Sequence, residues 1–149
     1  MFSHIILGAR DLGRLGTFYD ALLAPLGLVR GAVEEGGDGG PPGVLWQVPG
    51  RRWPQFFIQL PFNGLPATWG NGTQVSFAAP SPEAVDAAHA AGLAAGGLDE
   101  GAPGPRPHYG EHYYGAYLRD PEGNKLCLVH DPDVVSDVLA ALAPRVGII

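Results

Sequence analysis

The stretch from Tyr113 to Val129, YYGAYLRDPEGNKLCLV, constrains the fold more than any other part of the chain. An alternating run, a tight Asp120-Pro121-Glu122-Gly123-Asn124 turn and a second apolar run make a β-hairpin. Pro121 pre-sets φ at the first central position, and Gly123 and Asn124 tolerate positive φ. The predicted strands run from Tyr113 to Leu118 and from Lys125 to Val129.

The same reading extends along the chain. Phe2 to Gly8 is an isoleucine-rich strand. Asp11 is an N-cap, and Leu12, Leu15, Tyr19 and Leu22 follow at helical spacing until Pro25 and Gly27. Strands are expected over Leu28–Ala32, Val44–Val48 and Gln55–Leu60, with a Gly/Pro/acid loop from Glu34 to Gly43 and a PGRRWP turn. A second cycle follows the GLPATWGNG connector. It has a strand at Thr73–Ala78, an N-cap at Ser81 with Pro82 behind it, and an alanine-rich helix to about Ala95. A short strand near Leu98, a GAPGPRPHYGEH loop and the closing hairpin complete it. Asp131 and Pro132 open a C-terminal helix with Val135, Val138, Leu139 and Leu142 on one face. Each half therefore reads strand, helix, three strands. The fold class is α+β: two βαβββ modules forming a partly open curved barrel, with a C-terminal helix. The 149 residues form a single domain on this reading, with modules at about 1–62 and 70–130 and the final helix at about 132–143.

Composition narrows the function classes. Nine Lys+Arg against 15 Asp+Glu give a net charge of -6, which disfavours a nucleic-acid partner. Gly 23 and Pro 15 make about a quarter of the chain, but the 46% hydrophobic content is enough for a core, so they read as turns between short strands. The single cysteine, Cys127, excludes an internal disulfide and fits a reducing, cytoplasmic compartment. The N-terminus MFSHIILGARDLG has neither a basic leader nor a membrane-length apolar run.

The FSHIILGARDLGRLGTFYDALLAPLGL opening, the GNGTQVSFAAP start of the second cycle and the DPEGN hairpin, in that order, resemble the vicinal oxygen chelate superfamily. That superfamily includes glyoxalase I, bleomycin-resistance proteins and extradiol dioxygenases. The resemblance implies small-molecule work, often in homodimers. It also implies a divalent metal (Zn, Ni, Fe or Mn) held by a His or Gln in the first strand, a Glu ending the first module, a His opening the second and a Glu in the last strand. Carried over, these positions fall on His4, Gln59, Gln74 and Cys127. Period-2 alternation sets each opposite the apolar face of its strand, so all four are expected in one cavity.

Three of the four depart from the family pattern. Gln amide oxygens are neutral, weak donors, and catalytic zinc sites usually keep three good protein ligands. No carboxylate base of the glyoxalase type stands at these positions. A thiol at Cys127 reads as a small buried side chain. A reactive thiolate needs cations nearby, and Lys125 is the one candidate on its face.

The PGPRPHYGEHYYGAY run resembles the segment before the closing hairpin in one bacterial branch of the family. It offers Arg106 as a bidentate clamp for an anion. Around it stand His108, Tyr109, His112 and Tyr114 as a polar and aromatic rim, beside Tyr113 and Tyr117. Equally, it reads as a turn pinned by Pro107 and tyrosine hydroxyls. Two function classes remain open. One is a lactoylglutathione-lyase-like enzyme, a lyase or isomerase, with an altered metal site. The other is a metal-free protein that binds and sequesters an anionic or aromatic small molecule.

Overall fold

The structure is a computed structural model that describes residues 1–37 and 40–142. The first cycle is β1 (His4–Gly8), α1 (Leu12–Leu23), β2 (Val29–Glu34), β3 (Gly43–Gln47) and β4 (Gln55–Gln59). The second is β5 (Gln74–Ala78), α2 (Pro82–Ala94), β6 (Leu98–Pro105), β7 (Tyr114–Arg119) and β8 (Lys125–His130). Helix α3 (Pro132–Leu142) follows. The expected loop residues 38 and 39, and position 143 of the expected final helix, lie outside the described residues.

The strands form two four-stranded sheets of identical design, β1-β4-β3-β2 and β5-β8-β7-β6, and do not close into a barrel. In each sheet the first strand lies parallel to the last, which pairs antiparallel with the third. This is the α+β architecture of two βαβββ modules and a C-terminal helix that the sequence pattern implies.

Alternation decides the two faces of each sheet. Leu7, Phe56 and Ile58 from the first sheet and Val75, Phe77, Leu126 and Leu128 from the second are buried in one shared core. Leu15, Phe18, Tyr19 and Leu22 of α1 and Val85 and Ala88 of α2 complete that core. Each such leucine contributes about 1.5–3 kcal/mol by leaving water. Phe56 and Phe77 meet edge to face at 5.0 Å and join the two modules. Helix α2 comes so close to its neighbours at Gly92 that a Cβ there would stand 2.6 Å from Leu118 Cδ1 and 2.9 Å from Leu22 Cδ1.

Capping follows the sequence. The Asp11 carboxylate accepts from the Arg14 amide at 2.9 Å, and the Ser81 hydroxyl accepts from the Ala84 amide at 3.1 Å.

Two local expectations change. The first part of the GAPGPRPHYGEH segment is strand, not loop. Residues to Pro105 belong to β6, with register shifts between Asp99 and Gly101 and between Gly101 and Gly104. Strand β6 is a sheet edge, where prolines and bulges are tolerated because no partner waits for their N–H groups. In the DPEGN turn only Gly123 takes positive φ (95°). Asn124 acts through its side chain, donating Nδ2 to Asp120 Oδ2 at 2.7 Å.

That turn also fastens the modules together. Asp120 is buried and accepts from the Tyr19 hydroxyl of α1 at 2.7 Å, as well as from the amides of Glu122 and Asn124. Burial, then the Asp120 carboxylate, push the Tyr19 phenol well above its ordinary range, so it stays a donor. The Glu122 carboxylate accepts from the amides of Arg10 and Asp11 at 2.6 and 2.9 Å, placing an anion at the N-terminal end of α1. Arg14 donates to the Pro121 carbonyl at 2.6 Å.

Candidate functional site

The faces turned away from the core carry most of the expected site side chains, and each sheet holds its own cavity there. The first is about 300 Å³ and is lined by His4, Ile6, Trp53, Gln55, Phe57 and Gln59. The His4 ring lies between Trp53 (5.9 Å) and Phe57 (6.1 Å), and its Nδ1 is bonded to the Ser3 hydroxyl at 2.8 Å. Gln59 donates Nε2 to the Pro41 carbonyl at 3.2 Å.

The second cavity is about 570 Å³. Gln74, Tyr117 and Lys125 come from the sheet, Glu100 and Gly101 from β6, and Arg106, His108, Tyr109 and Tyr113 from the connection to β7. The rings of His108 and Tyr109 stand 4.1 Å apart, and those of Tyr109 and Tyr113 5.2 Å. Glu100 is bound to Arg119 at 2.6 Å. Cys127, 1% exposed, faces Tyr117 and Ser76 across the sheet. Its sulfur lies 3.7 Å from the Tyr113 hydroxyl. Burial, then the Cys127 contact, hold the Tyr113 phenol far above its usual range, and burial chiefly raises Tyr117. Both present neutral hydroxyls.

The expected meeting of His4, Gln59, Gln74 and Cys127 in one cavity does not occur within one chain. His4 and Gln59 line the first cavity, Gln74 lines the second, and Cys127 is buried in the second sheet. The cause is topological: each module closes its own sheet, and the two sheets share only their apolar faces.

Of the expected rim, Arg106, His108 and Tyr109 reach the second cavity. His112 lies in a separate polar hollow with Glu111, Asp131 and Asp133. Tyr114 has the opposite parity to Tyr113. It turns to the helix side and donates its hydroxyl to Asp86 at 2.6 Å, which raises the phenol. The Arg106 guanidinium is engaged by carbonyls of β6, the strand just before it. Nη1 donates to the Gly104 and Pro105 carbonyls, and Nη2 to that of Ala102. It pins the loop instead of standing ready as a clamp. Gln55 lines the first cavity and Lys125 the second without standing among the expected site residues, and Trp53, one of three tryptophans that could border a pocket, lines the first. Alternation with Gln59 marks Gln55, and alternation with Cys127 marks Lys125. Trp53 lies in the turn between β3 and β4, where alternation gives no signal.

No family model and no curated protein matches the chain. Solved structures do. A glyoxalase/bleomycin resistance protein from Albidiferax ferrireducens is 45% identical, over 89% of this chain and 99% of that one, with a TM-score of 0.72. The chain belongs to the glyoxalase/bleomycin resistance superfamily. A glyoxalase-related enzyme from Fulvimarina pelagi (19% identity, 89% and 88% coverage, TM-score 0.64) shares the fold. So does a lactoylglutathione lyase from Agrobacterium tumefaciens (20%, 87% and 92%, TM-score 0.58).

The divalent metal common in this superfamily does not fit the donors present. Zinc sites of the catalytic kind take three strong protein ligands. Here the four family-equivalent positions offer one imidazole, two neutral amides and a buried thiol engaged with Tyr113. No group of three or more His, Cys, Asp or Glu side chains among the described residues could hold an ion. Nor is any described helix long and apolar enough to cross a membrane.

Proposed function

We propose that this superfamily member binds a small molecule without a tightly held metal, in the manner of a resistance or sequestration protein. The observation that carries the reading is the chemistry of the two open faces. They offer aromatic rings, amides and cations, but neither three strong metal donors nor a free carboxylate base. Among the described residues, Glu100 is the one carboxylate lining either cavity, and Arg119 holds it at 2.6 Å. A glyoxalase-type proton transfer needs such a base beside the substrate carbon.

The protein acts as a homodimer in this proposal. Each cavity is one wall of a cleft, and a second copy set about a two-fold axis would supply the other wall to both modules at once. Gln59 and His4 of one copy would then approach Gln74 of its mate. Arg106, His108 and Tyr109 border the ligand. Tyr114 supports that rim through Asp86, and His112 stands outside it.

A second reading is a lyase or isomerase that uses His4. Its imidazole, bonded at Nδ1 to Ser3, has its other nitrogen available in an aromatic-lined cavity. The test is ligand binding with and without chelator. Titration of an aromatic acid such as 1-naphthoate should give the same affinity in EDTA as in added Zn²⁺ or Ni²⁺. Binding that requires the metal, or turnover of the lactoylglutathione-lyase substrate that appears on adding metal, would favour the enzyme.

A further inference from the structure

The second cavity carries a cation that no described acceptor holds. Lys125 opens β8 half-buried, with Nζ 5.6 Å from the centre of the Tyr117 ring. Among the described residues its ammonium makes no hydrogen bond and no ion pair. Arg106, which also lines this cavity, and Arg119, which holds Glu100, are both engaged. Arg106 donates to three carbonyls of its own segment, and Arg119 to Glu100 and to the Gly123 carbonyl.

We propose that the second cavity takes a flat aromatic carboxylate and that Lys125, not Arg106, binds its charged end. The proposal rests on the ligand-binding reading above and gives that site its ligand class. Three features support it. The aromatic side chains of Tyr109, Tyr113 and Tyr117 line the cavity beside Lys125, so the apolar body of such a ligand would lie among them while its carboxylate meets Nζ. Local charge opposes the trend of the chain. Lys125 and Arg106 line the cavity against Glu100, which Arg119 already holds, in a chain of net charge -6. Finally, burial holds Tyr113 and Tyr117 in their neutral forms, so no phenolate repels the anion. A half-buried ammonium whose nearest partner is a ring face gains more from an acceptor than one already bonded.

The test is a paired titration with 1-naphthoate and 1-naphthamide, which share a ring system and differ in charge. Wild type should prefer the acid by about tenfold or more, a difference of about 1.4 kcal/mol for each factor of ten. Lys125→Met should abolish that preference while leaving the amide bound as before, and Lys125→Arg should retain it. Arg106→Met should weaken both probes alike, since it loosens the loop without removing the anchor. If both probes bind wild type and Lys125→Met leaves the acid-to-amide ratio intact, the anchor is elsewhere and only the binding reading survives. If neither probe binds wild type, the anchor and the reading beneath it fall together.

Discussion

The two modules share a topology strand for strand, yet the connections between their last two strands differ in kind. In the first module, Val48 to Pro54 carries Arg51, exposed and without a side-chain partner among the described residues, and Arg52, stacked 5.1 Å over Trp53. In the second, the DPEGN turn buries Asp120 under four donors and reaches across to α1 through Glu122. The cavities beside these turns differ too. The first is lined by aromatic and amide groups, and the second carries the cations. The repeat supplies positions, and the residues placed there divide the labour: the turn of the second module ties the modules together, and its cavity is where we propose that the charge of the ligand is read.

The largest effect should separate the turns. Asp120→Ala strands the Tyr19 hydroxyl, the Asn124 amide and two backbone N–H groups, at a cost of about 3–5 kcal/mol. Arg51→Ala, in the matching turn of the first module, should change stability by less than about 0.5 kcal/mol. Denaturant unfolding of the two variants checks this, and equal losses would erase the distinction. Next comes Glu122→Ala, which removes an anionic acceptor from the start of α1 and should cost about 1 kcal/mol.

A smaller contrast concerns acid. The Asp99 carboxyl is held below its ordinary range, first by the Gly101 amide and then by His89. A lowered carboxylate adds stability above its unfolded pKa and loses it as pH falls through the folded one. Asp99→Asn should therefore flatten the decline in stability below about pH 4 slightly. An unchanged acid limb in a pH series of melting curves would remove Asp99 from the account. Smallest of all is Cys127→Ser. The thiol is buried against Tyr113 and assigned no chemistry, so naphthoate affinity should stay within about twofold, and a loss of about tenfold or more, 1.4 kcal/mol, would give the sulfur a role.

How much of this was legible in the sequence follows from what each signal measures. Alternation in QFFIQL and QVSFA, helical spacing after Asp11 and Ser81, and the DPEGN turn chemistry are local, and they located both modules and all three helices. Alternation also placed His4, Gln59, Gln74 and Cys127 on the faces away from the core. It could not say that the two faces belong to separate sheets, because pairing between modules is a tertiary fact. The orientation of Tyr114 was readable from its parity with Tyr113. The engagement of Arg106 was not, because it depends on the bulged course of β6 carrying the Ala102 and Gly104 carbonyls to the guanidinium. Nor did the residues of DPEGN disclose that Asp120 and Glu122 serve a helix more than a hundred positions away.

We propose that the residues at the superfamily's metal-binding positions leave a site that recognises its ligand without a metal. The most direct measurement is elemental analysis of protein purified without chelator and then dialysed against one, with naphthoate affinity read on the same sample. Far less than one Zn, Ni, Fe or Mn per chain is expected after dialysis, with an affinity that dialysis does not change. Stoichiometric metal that survives the chelator, or binding lost with the metal and restored by its return, would contradict it.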